Sequence, residues 1–219
     1  MTPEMKSISI EPFETGAVRG FLHQPVEAAR RKLVLTHGAG SDCCAPLLIA
    51  VANAFCNAGY AVLRCNLPFR QRRRFGPPSP KLSGEDRAAL KAALTALRTP
   101  DTEKAFLGGH SYGGRQASIL AADEPQCCDG LLLLSYPLHP PKKLNDLRTA
   151  HFPRLQTPAL FVHGTADPFG SMDELRPAIA LIPARTELVA IEGAGHDLAR
   201  GNFEIASVVV AAFEQLVSE

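Results

Sequence analysis

A serine surrounded by glycines is the first residue of this sequence whose setting suggests chemistry. Ser111 lies in GGHSYGG, between an apolar stretch that predicts a strand and a stretch with helical spacing. Residues 109–113 fit the pattern G-x-S-x-G, in which a tight strand-to-helix turn exposes the serine hydroxyl. Glycine is needed on both sides because the backbones before and after the serine would otherwise clash. Ser111 is therefore predicted to be a nucleophile, and a glycine-lined turn without catalysis is the alternative.

A serine hydroxyl becomes a strong nucleophile only when a base accepts its proton and an acid orients that base. We expect His196 to be the base, because it lies in EGAGHDL between the last predicted strand and the last predicted helix. His139 and His151 remain open as bases, whereas His163 ends a buried strand and is more typical of a supporting residue.

The acid of such a site falls between the serine and the histidine in chain order. Asp167, in HGTADPFG after the penultimate strand, has this position. An aspartate that only shapes the turn before Pro168 is the alternative. Asp197 is expected to point away from its neighbour His196, and Asp173 to cap a helix.

Developing negative charge on a reacting carbonyl oxygen needs two N–H donors. The first is expected to be the backbone N–H of Tyr112, directly after the serine. The second is expected from the glycine-rich loop HGAGSD, where Ala39 is the predicted donor and Gly40 the next choice. An ordinary glycine turn is the alternative for this loop.

Arginines follow two of these elements and suggest a charged substrate. Arg70, Arg72, Arg73 and Arg74 lie in NLPFRQRRRFGPPSP after a strand, where they could bind a carboxylate or a phosphate. A solvated loop stiffened by prolines is the alternative. Arg115 opposes the helix dipole in the first turn after the serine, so we expect it to face a carboxylate partner or the substrate. Arg70 and Arg115 are the candidate substrate-binding residues.

The elements that position these residues alternate between strand and helix. KLVLTHG, YAVLRCN, KAFLGG, GLLLLSYP, PALFVHG and TELVAIEG predict strands, and their uninterrupted apolar runs indicate burial on both faces. Helical spacing separates them, and MKSISI with AVRGFLHQP predicts an N-terminal antiparallel hairpin with EPFETG as its turn. This is the pattern of an α/β fold, a mostly parallel central sheet flanked by helices on both faces. Ligands in such folds bind beyond the carboxyl ends of the strands, where the loops HGAGSD, NLPFRQRRR, GHSYGG and HGTADPFG lie.

Composition narrows the classes of function. The 219 residues fit one domain, 1–219, and the formal net charge of +1 argues against a nucleic-acid or anionic-membrane partner. The N-terminus lacks an apolar signal segment, and the six cysteines form no CxxC pair, so reduced thiols and a cytoplasmic location are expected. No metal motif and no complete nucleotide-binding motif occurs, so we expect no metal and no cofactor. The oligomeric state stays open.

The four loops THGAGSD, GGHSYGGR, HGTADPFG and GAGHDL together resemble the α/β-hydrolase superfamily over almost the whole chain. The sequence is most similar to small, lidless, dienelactone-hydrolase-like proteins and to a subgroup of testis-expressed and chromatin-complex α/β-hydrolase-like proteins. The resemblance implies Ser111, Asp167 and His196 as a triad, with Ala39 and Tyr112 as oxyanion donors. Dienelactone hydrolases carry cysteine at the nucleophile, so their substrate is not transferred to this chain.

The resemblance predicts a serine hydrolase that cleaves a carboxylic ester or related acyl bond of a small molecule. A non-catalytic interaction module with the same fold is the alternative, since some relatives are non-catalytic partners in complexes. About 20 residues separate the strands around Pro137 and Pro158, too few for a large lid. We therefore expect a shallow, open site.

Overall fold

The computed structural model describes residues 8–198 and 205–218, and its framework is one eight-stranded sheet. The strand order is β1-β2-β4-β3-β5-β6-β7-β8. Strand β2 is antiparallel to both of its neighbours, β1 and β4, and all other neighbouring pairs are parallel. This confirms the mostly parallel sheet and the N-terminal hairpin. The strands are β1 Ser9–Thr15, β2 Val18–Gln24, β3 Arg31–Thr36, β4 Tyr60–Asn66, β5 Lys104–His110, β6 Leu131–Leu134, β7 Ala159–Gly164 and β8 Thr186–Ile191.

Helices connect most of the parallel strands and cover both faces of the sheet. They are α1 Pro46–Asn57, α2 Pro68–Arg72, α3 Ser83–Leu97, α4 Tyr112–Asp123, α5 Met172–Ile179 and α6 Ile205–Val217. In the part of the chain that the structure describes, no helix is both long and apolar enough to cross a membrane.

The core lies on both sides of the sheet, as the apolar strands predict. In β3, Leu33 and Leu35 pack on the side of α1 and α6, whereas Val34 packs on the side of α3 and α4. Successive side chains of a strand point to opposite faces, so each strand contributes to both layers. All three side chains are fully buried, and burying each contributes roughly 1.5–3 kcal/mol to folding.

The hairpin and β6 differ from the predicted bounds. EPFETG is mostly strand rather than turn, because β1 runs to Thr15 and only Gly16 and Ala17 link it to β2. Pro12 fits there because β1 is an edge strand, which tolerates a missing N–H. Residues 5–7 of the predicted first strand lie outside the described residues. β6 ends at Leu134 instead of Pro137, since Ser135 has a φ of 48° and leaves the extended conformation.

The segment between β6 and β7 carries no helical cap. Its regular structure is a 3₁₀ turn at Phe152–Arg154, so the fold has no large lid. The segment is nevertheless fixed to the sheet edge. The His139 N–H donates to the Phe169 carbonyl in the loop after β7 at 3.1 Å.

Candidate active site

The turn at Ser111 has the strained geometry of a nucleophile elbow. Ser111 has φ 51° and ψ −115°, a conformation that L residues rarely adopt. A Cβ on Gly109 would lie 2.7 Å from the Thr36 carbonyl oxygen and 2.9 Å from the backbone of Gly113 and Gly114. β5 therefore passes into α4 at a distance that only glycine permits, which is the crowding that the sequence pattern implies.

The loops after β5, β7 and β8 bring three predicted residues together. His196 Nε2 lies 2.8 Å from Ser111 Oγ, and His196 Nδ1 lies 2.8 Å from Asp167 Oδ2. The Asp167 side chain is fully buried, whereas the His196 side chain is 21% exposed and reaches the cleft. Since a carboxylate only accepts, Nδ1 carries the proton and the Nε2 lone pair faces the serine hydroxyl.

The Asp167 carboxylate is held by its own turn. Oδ1 accepts a hydrogen bond from the Phe169 N–H at 2.9 Å, which leaves Oδ2 for His196. His163 Nε2 lies 3.6 Å from the same Oδ2 and donates to the Gly170 carbonyl at 2.7 Å. His163 therefore supports the turn that carries Asp167, as its position at the end of β7 suggests.

Phe169 was not singled out by the sequence analysis, yet its ring contacts the central histidine. The Phe169 and His196 rings stack with centroids 4.1 Å apart and planes 30° apart. On the opposite side of the loop, His110 Nε2 donates to the His196 carbonyl at 2.9 Å. The His196 imidazole is thus held by the hydrogen bond to its backbone carbonyl and by the Phe169 ring on one of its faces. The only signal for this ring contact in the sequence is an aromatic residue two positions after Asp167.

The predicted oxyanion loop packs against the elbow. A Cβ on Gly38 would lie 2.8 Å from His110 Nδ1 and 3.4 Å from Ser111 Cβ, so the loop backbone approaches the serine closely. Neither the Ala39 N–H nor the Tyr112 N–H donates to another group of the described residues. Both are therefore available to a ligand beside Ser111.

His37 fixes the start of this loop, a role that its sequence position did not reveal. Its Nδ1 donates to the Gly38 carbonyl at 2.8 Å, and its Nε2 accepts from the Leu67 N–H at 3.1 Å. Burial is the main reason why the pKa of His37 falls to about 4, so the ring is neutral near pH 7. A neutral ring satisfies one donor and one acceptor at once.

Tyr112 is anchored through its side chain as well. Its hydroxyl donates to Asp86 Oδ2 of α3 at 2.7 Å, and its ring packs edge-on against Phe69. Burial raises the pKa of the Asp86 carboxyl, and the bond from Tyr112 opposes that shift. This contact ties the first residue of α4 to α3.

Arg70 does not present its guanidinium to the cleft, in contrast to the expectation of a substrate contact. It is 9% exposed and donates to Ala39 O at 2.5 Å and to Ser41 O at 3.0 Å. Carbonyls of its own loop, those of Arg73, Arg74 and Gly76, accept the remaining bonds. Short helix α2 places it against the predicted oxyanion loop, where these carbonyl oxygens occupy its donors. Its position favours a role in shaping that loop.

The rest of the arginine-rich segment also lies away from Ser111. Arg72 forms an ion pair with Glu85, and Arg73 donates to the Pro77 carbonyl. Arg74 contacts the exposed Phe75 ring. After helix α2 the segment is a loop that contains several prolines, in line with the alternative interpretation, and Pro77, Pro78 and Pro80 form part of the cleft wall.

Ser111 and His196 line a cleft of about 880 Å³. This is more room than we expect of a shallow site without a lid. The volume arises because the proline loop after β4 and the segment after β6 form two of its walls. Arg115, the other candidate substrate-binding residue, lies in the wall together with Arg148, which the sequence analysis did not select. The apolar residues of the wall include Ala39, Ala45, Pro46, Leu47, Leu48, Pro77, Pro78, Pro80, Pro137 and Phe169.

The remaining candidates have other contacts. His151 Nε2 shares a hydrogen bond with Ser118 at 2.8 Å, and His139 Nε2 lies 3.5 Å from Glu174. Asp173 does not cap α5, because Ser171 forms the capping box with Glu174. Within residues 8–198 and 205–218, no group of three or more His, Cys, Asp or Glu side chains could hold a metal ion.

Comparison with solved structures shows the same fold in several enzymes. A dienelactone hydrolase from Anabaena variabilis ATCC 29413 has a TM-score of 0.73 at 23% identity, covering 96% of this chain and 97% of the other. Est1E from Butyrivibrio proteoclasticus has a TM-score of 0.74 at 15% identity, covering 96% and 99%. XC6422 from Xanthomonas campestris, described as an α/β serine hydrolase without lid, has a TM-score of 0.68 at 16% identity, covering 97% and 96%.

These likenesses and the elbow between β5 and α4 define the α/β-hydrolase fold. The family described as "Alpha/beta hydrolase domain" matches residues 29–206, well over half of the chain. The chain therefore belongs to the alpha/beta hydrolase domain family, and the enzyme class that this family indicates is a hydrolase.

Proposed function

We propose that the protein hydrolyses a carboxylic ester or a related acyl bond of a small molecule. In this proposal Ser111 is the nucleophile, His196 the general base and Asp167 the acid that orients it. The observation that carries the proposal is the His196 ring, which bridges Ser111 Oγ and Asp167 Oδ2 with 2.8 Å on each side. A serine, a histidine and a carboxylate in this arrangement form a catalytic triad, in which the histidine accepts the serine proton and the carboxylate stabilises the resulting imidazolium.

The reaction proceeds in two halves. His196 Nε2 accepts the Ser111 proton while Oγ attacks the substrate carbonyl carbon, and the imidazolium then gives that proton to the leaving alcohol oxygen. This step leaves the acyl group on Ser111. A water molecule, deprotonated by the same Nε2, attacks the acyl carbon and releases the acid and the free serine. Asp167 stays ionised throughout and stabilises the imidazolium.

The carbonyl oxygen becomes an oxyanion in both halves. We propose that the Ala39 and Tyr112 N–H groups donate to it, because neither has another partner among the described residues and both residues line the cleft with Ser111. The Tyr112 N–H also lies at the N-terminus of α4, whose dipole favours negative charge. Loss of one such donor lowers kcat by about 10²–10³ in comparable sites.

The test is hydrolysis of p-nitrophenyl esters of increasing chain length by the wild type and three variants. Ser111→Ala and His196→Gln are expected to remove activity, and Asp167→Asn is expected to lower kcat by about 10⁴, because the asparagine holds the ring in the wrong tautomer. The matched control is Ser83→Ala, a serine of the same cleft whose hydroxyl donates to the Pro80 carbonyl. It is expected to retain activity.

Two results would contradict the proposal. The first is hydrolysis by Ser111→Ala at the wild-type rate. The second is a purified, folded wild type that hydrolyses none of the esters, which would favour the non-catalytic interaction module.

A further inference from the structure

Two arginines stand in the wall of the cleft that contains Ser111. Arg115 lies one helical turn after the serine, and its N–H donates to the Ser111 carbonyl at 3.0 Å. Arg115 is in the first turn of α4, and both it and Ser111 line the cleft. The Arg115 side chain therefore starts next to the nucleophile and lines the same cavity.

Arg148 reaches this cavity from the segment between β6 and β7. Its backbone is fixed at both polar groups: its N–H donates to the Leu138 carbonyl at 2.8 Å, and its carbonyl accepts from the Tyr136 hydroxyl at 2.6 Å. Its guanidinium makes one long hydrogen bond, 3.4 Å to the Pro137 carbonyl. The arginine is thus held in place by its backbone while most of its donors stay unused by the described residues.

Neither guanidinium has an ionic partner in the described part of the chain. No described carboxylate forms an ion pair with Arg115 or Arg148, and the Nε of Arg115 is buried without a hydrogen-bond partner. Asp146 acts on Arg148 only at longer range, and Asp197 lines the cleft on the side of His196 without pairing with either arginine.

Two ring side chains near Arg115, those of His151 and Tyr136, are neutral near pH 7. Burial and then Arg115 lower the pKa of His151 to about 4, and burial raises the pKa of Tyr136. Burial and then the Arg115 guanidinium also lower the pKa of Arg148, so the two positive charges act on each other. Placing two like charges together beside a cleft is unfavourable unless an anion enters between them.

We propose that Arg115 and Arg148 form a subsite for a carboxylate at the far end of the substrate. The substrate class is then an ester whose acyl part ends in a free carboxylate, such as a half-ester of a short dicarboxylic acid. This inference rests on the proposed function for the scissile bond. The planar guanidinium edge matches the two oxygens of a carboxylate, and the one-turn spacing from Ser111 suits a chain of a few methylene groups. The apolar wall accommodates those methylenes.

The test compares three methyl esters that differ at the far end. Monomethyl glutarate carries a carboxylate, methyl glutaramate replaces it by a neutral amide of the same shape, and methyl 4-phosphonobutanoate replaces it by a phosphonate. The kcat/KM of the wild type is expected to be at least about tenfold higher for the acid than for the amide, as hydrogen bonds to charged groups are strong. Arg115→Gln and Arg148→Gln are each expected to lower that ratio by about tenfold.

The matched control is Arg154→Gln, in the same β6–β7 segment. Arg154 is exposed, pairs with Asp123 and does not line the cleft, so its variant should keep the wild-type ratio. An acid-to-amide ratio near one in the active wild type would overturn the inference. A ratio lowered equally by Arg154→Gln, or a preference for the phosphonate over the carboxylate, would also overturn it.

A binding measurement separates failure of the subsite from failure of the proposed chemistry. Ser111→Ala removes the nucleophile and leaves both arginines, so calorimetry should detect monomethyl glutarate but not methyl glutaramate. The double variant with Arg148→Gln should lose that binding. If the wild type hydrolyses no ester while Ser111→Ala binds the acid selectively, the subsite stands and the proposed hydrolysis fails. If Ser111→Ala does not distinguish acid from amide, the subsite fails whatever the activity.

Discussion

Replacing Arg70 by methionine tests whether this arginine shapes the oxyanion loop or contacts substrate. The change keeps an unbranched side chain and removes every guanidinium bond, including those to Ala39 O and Ser41 O. Hydrogen bonds to charged groups contribute about 1.5–3 kcal/mol each. Because the freed carbonyls regain water at the loop surface, we expect a net loss of about 3 kcal/mol in the free energy of unfolding. At roughly 2–4 °C per kcal/mol for a chain of this size, Tm should fall by about 10 °C.

The activity of Arg70→Met should change in kcat more than in KM. Without its anchor the loop no longer holds the Ala39 N–H at a fixed position, and an oxyanion donor is used mainly in the transition state. We expect kcat for a p-nitrophenyl ester to fall by about 10–100-fold, with KM within about threefold of the wild type. Thermal unfolding followed by circular dichroism and steady-state kinetics provide the two readouts.

Arg73→Met is the matched control in the same segment. Arg73 is exposed and donates to the Pro77 carbonyl, so its loss should change stability by no more than about 0.5 kcal/mol. The reasoning is refuted if Arg70→Met keeps the wild-type Tm and raises KM alone. That pattern would mean that the guanidinium contacts substrate, as the sequence position suggested.

Two further predictions concern the elbow and the buried histidines. Gly109→Ala should lose about 1–3 kcal/mol of stability and most activity, because the added Cβ would meet backbone atoms. Gly40→Ala is the control, since an added Cβ there would have no atom within 4 Å, and its chemical denaturation curve should match that of the wild type. Burial lowers the pKa of three histidines, His23, His37 and His151, from 6.5 to about 4. The unfolded chain therefore binds more protons than the folded chain between pH 6.5 and 4, so the free energy of unfolding should fall as the pH drops through this range. Urea titrations across this pH range check the second prediction, and a stability that is flat or rises on acidification contradicts it.

The order of elements followed from the sequence because each depends on local pattern. Apolar runs bounded by glycine gave the parallel strands, and the spacing G-x-S-x-G between strand and helix gave the elbow. The close approach of Ser111, Asp167 and His196 was predictable only together with the topology, since parallel strands place their following loops at one edge.

Tertiary contacts decided the features that the sequence did not reveal. Nothing in the local pattern shows that Arg70 contacts the predicted oxyanion loop, because the two acceptors in that loop are carbonyls about 30 residues earlier in the chain. Arg148 lies in an irregular segment without periodicity, and only the fold brings it opposite Arg115. Phe169 looked like an ordinary turn residue until its ring was placed against His196.

The hairpin was predicted, but its turn was misplaced for a related reason. Pro12 and the acidic residues of EPFETG are typical of turns, yet they form an exposed edge strand paired with β2. An edge position removes the need for one row of N–H donors, which propensity alone does not reveal.

The central claim is that Ser111 is a nucleophile activated by His196. The most direct measurement is reaction with a fluorophosphonate probe, followed by peptide mass spectrometry to locate the adduct. The account predicts an adduct on Ser111 in the wild type, much slower labelling in His196→Gln, and no adduct in Ser111→Ala. An unlabelled wild type, or an adduct on a different residue, would contradict it.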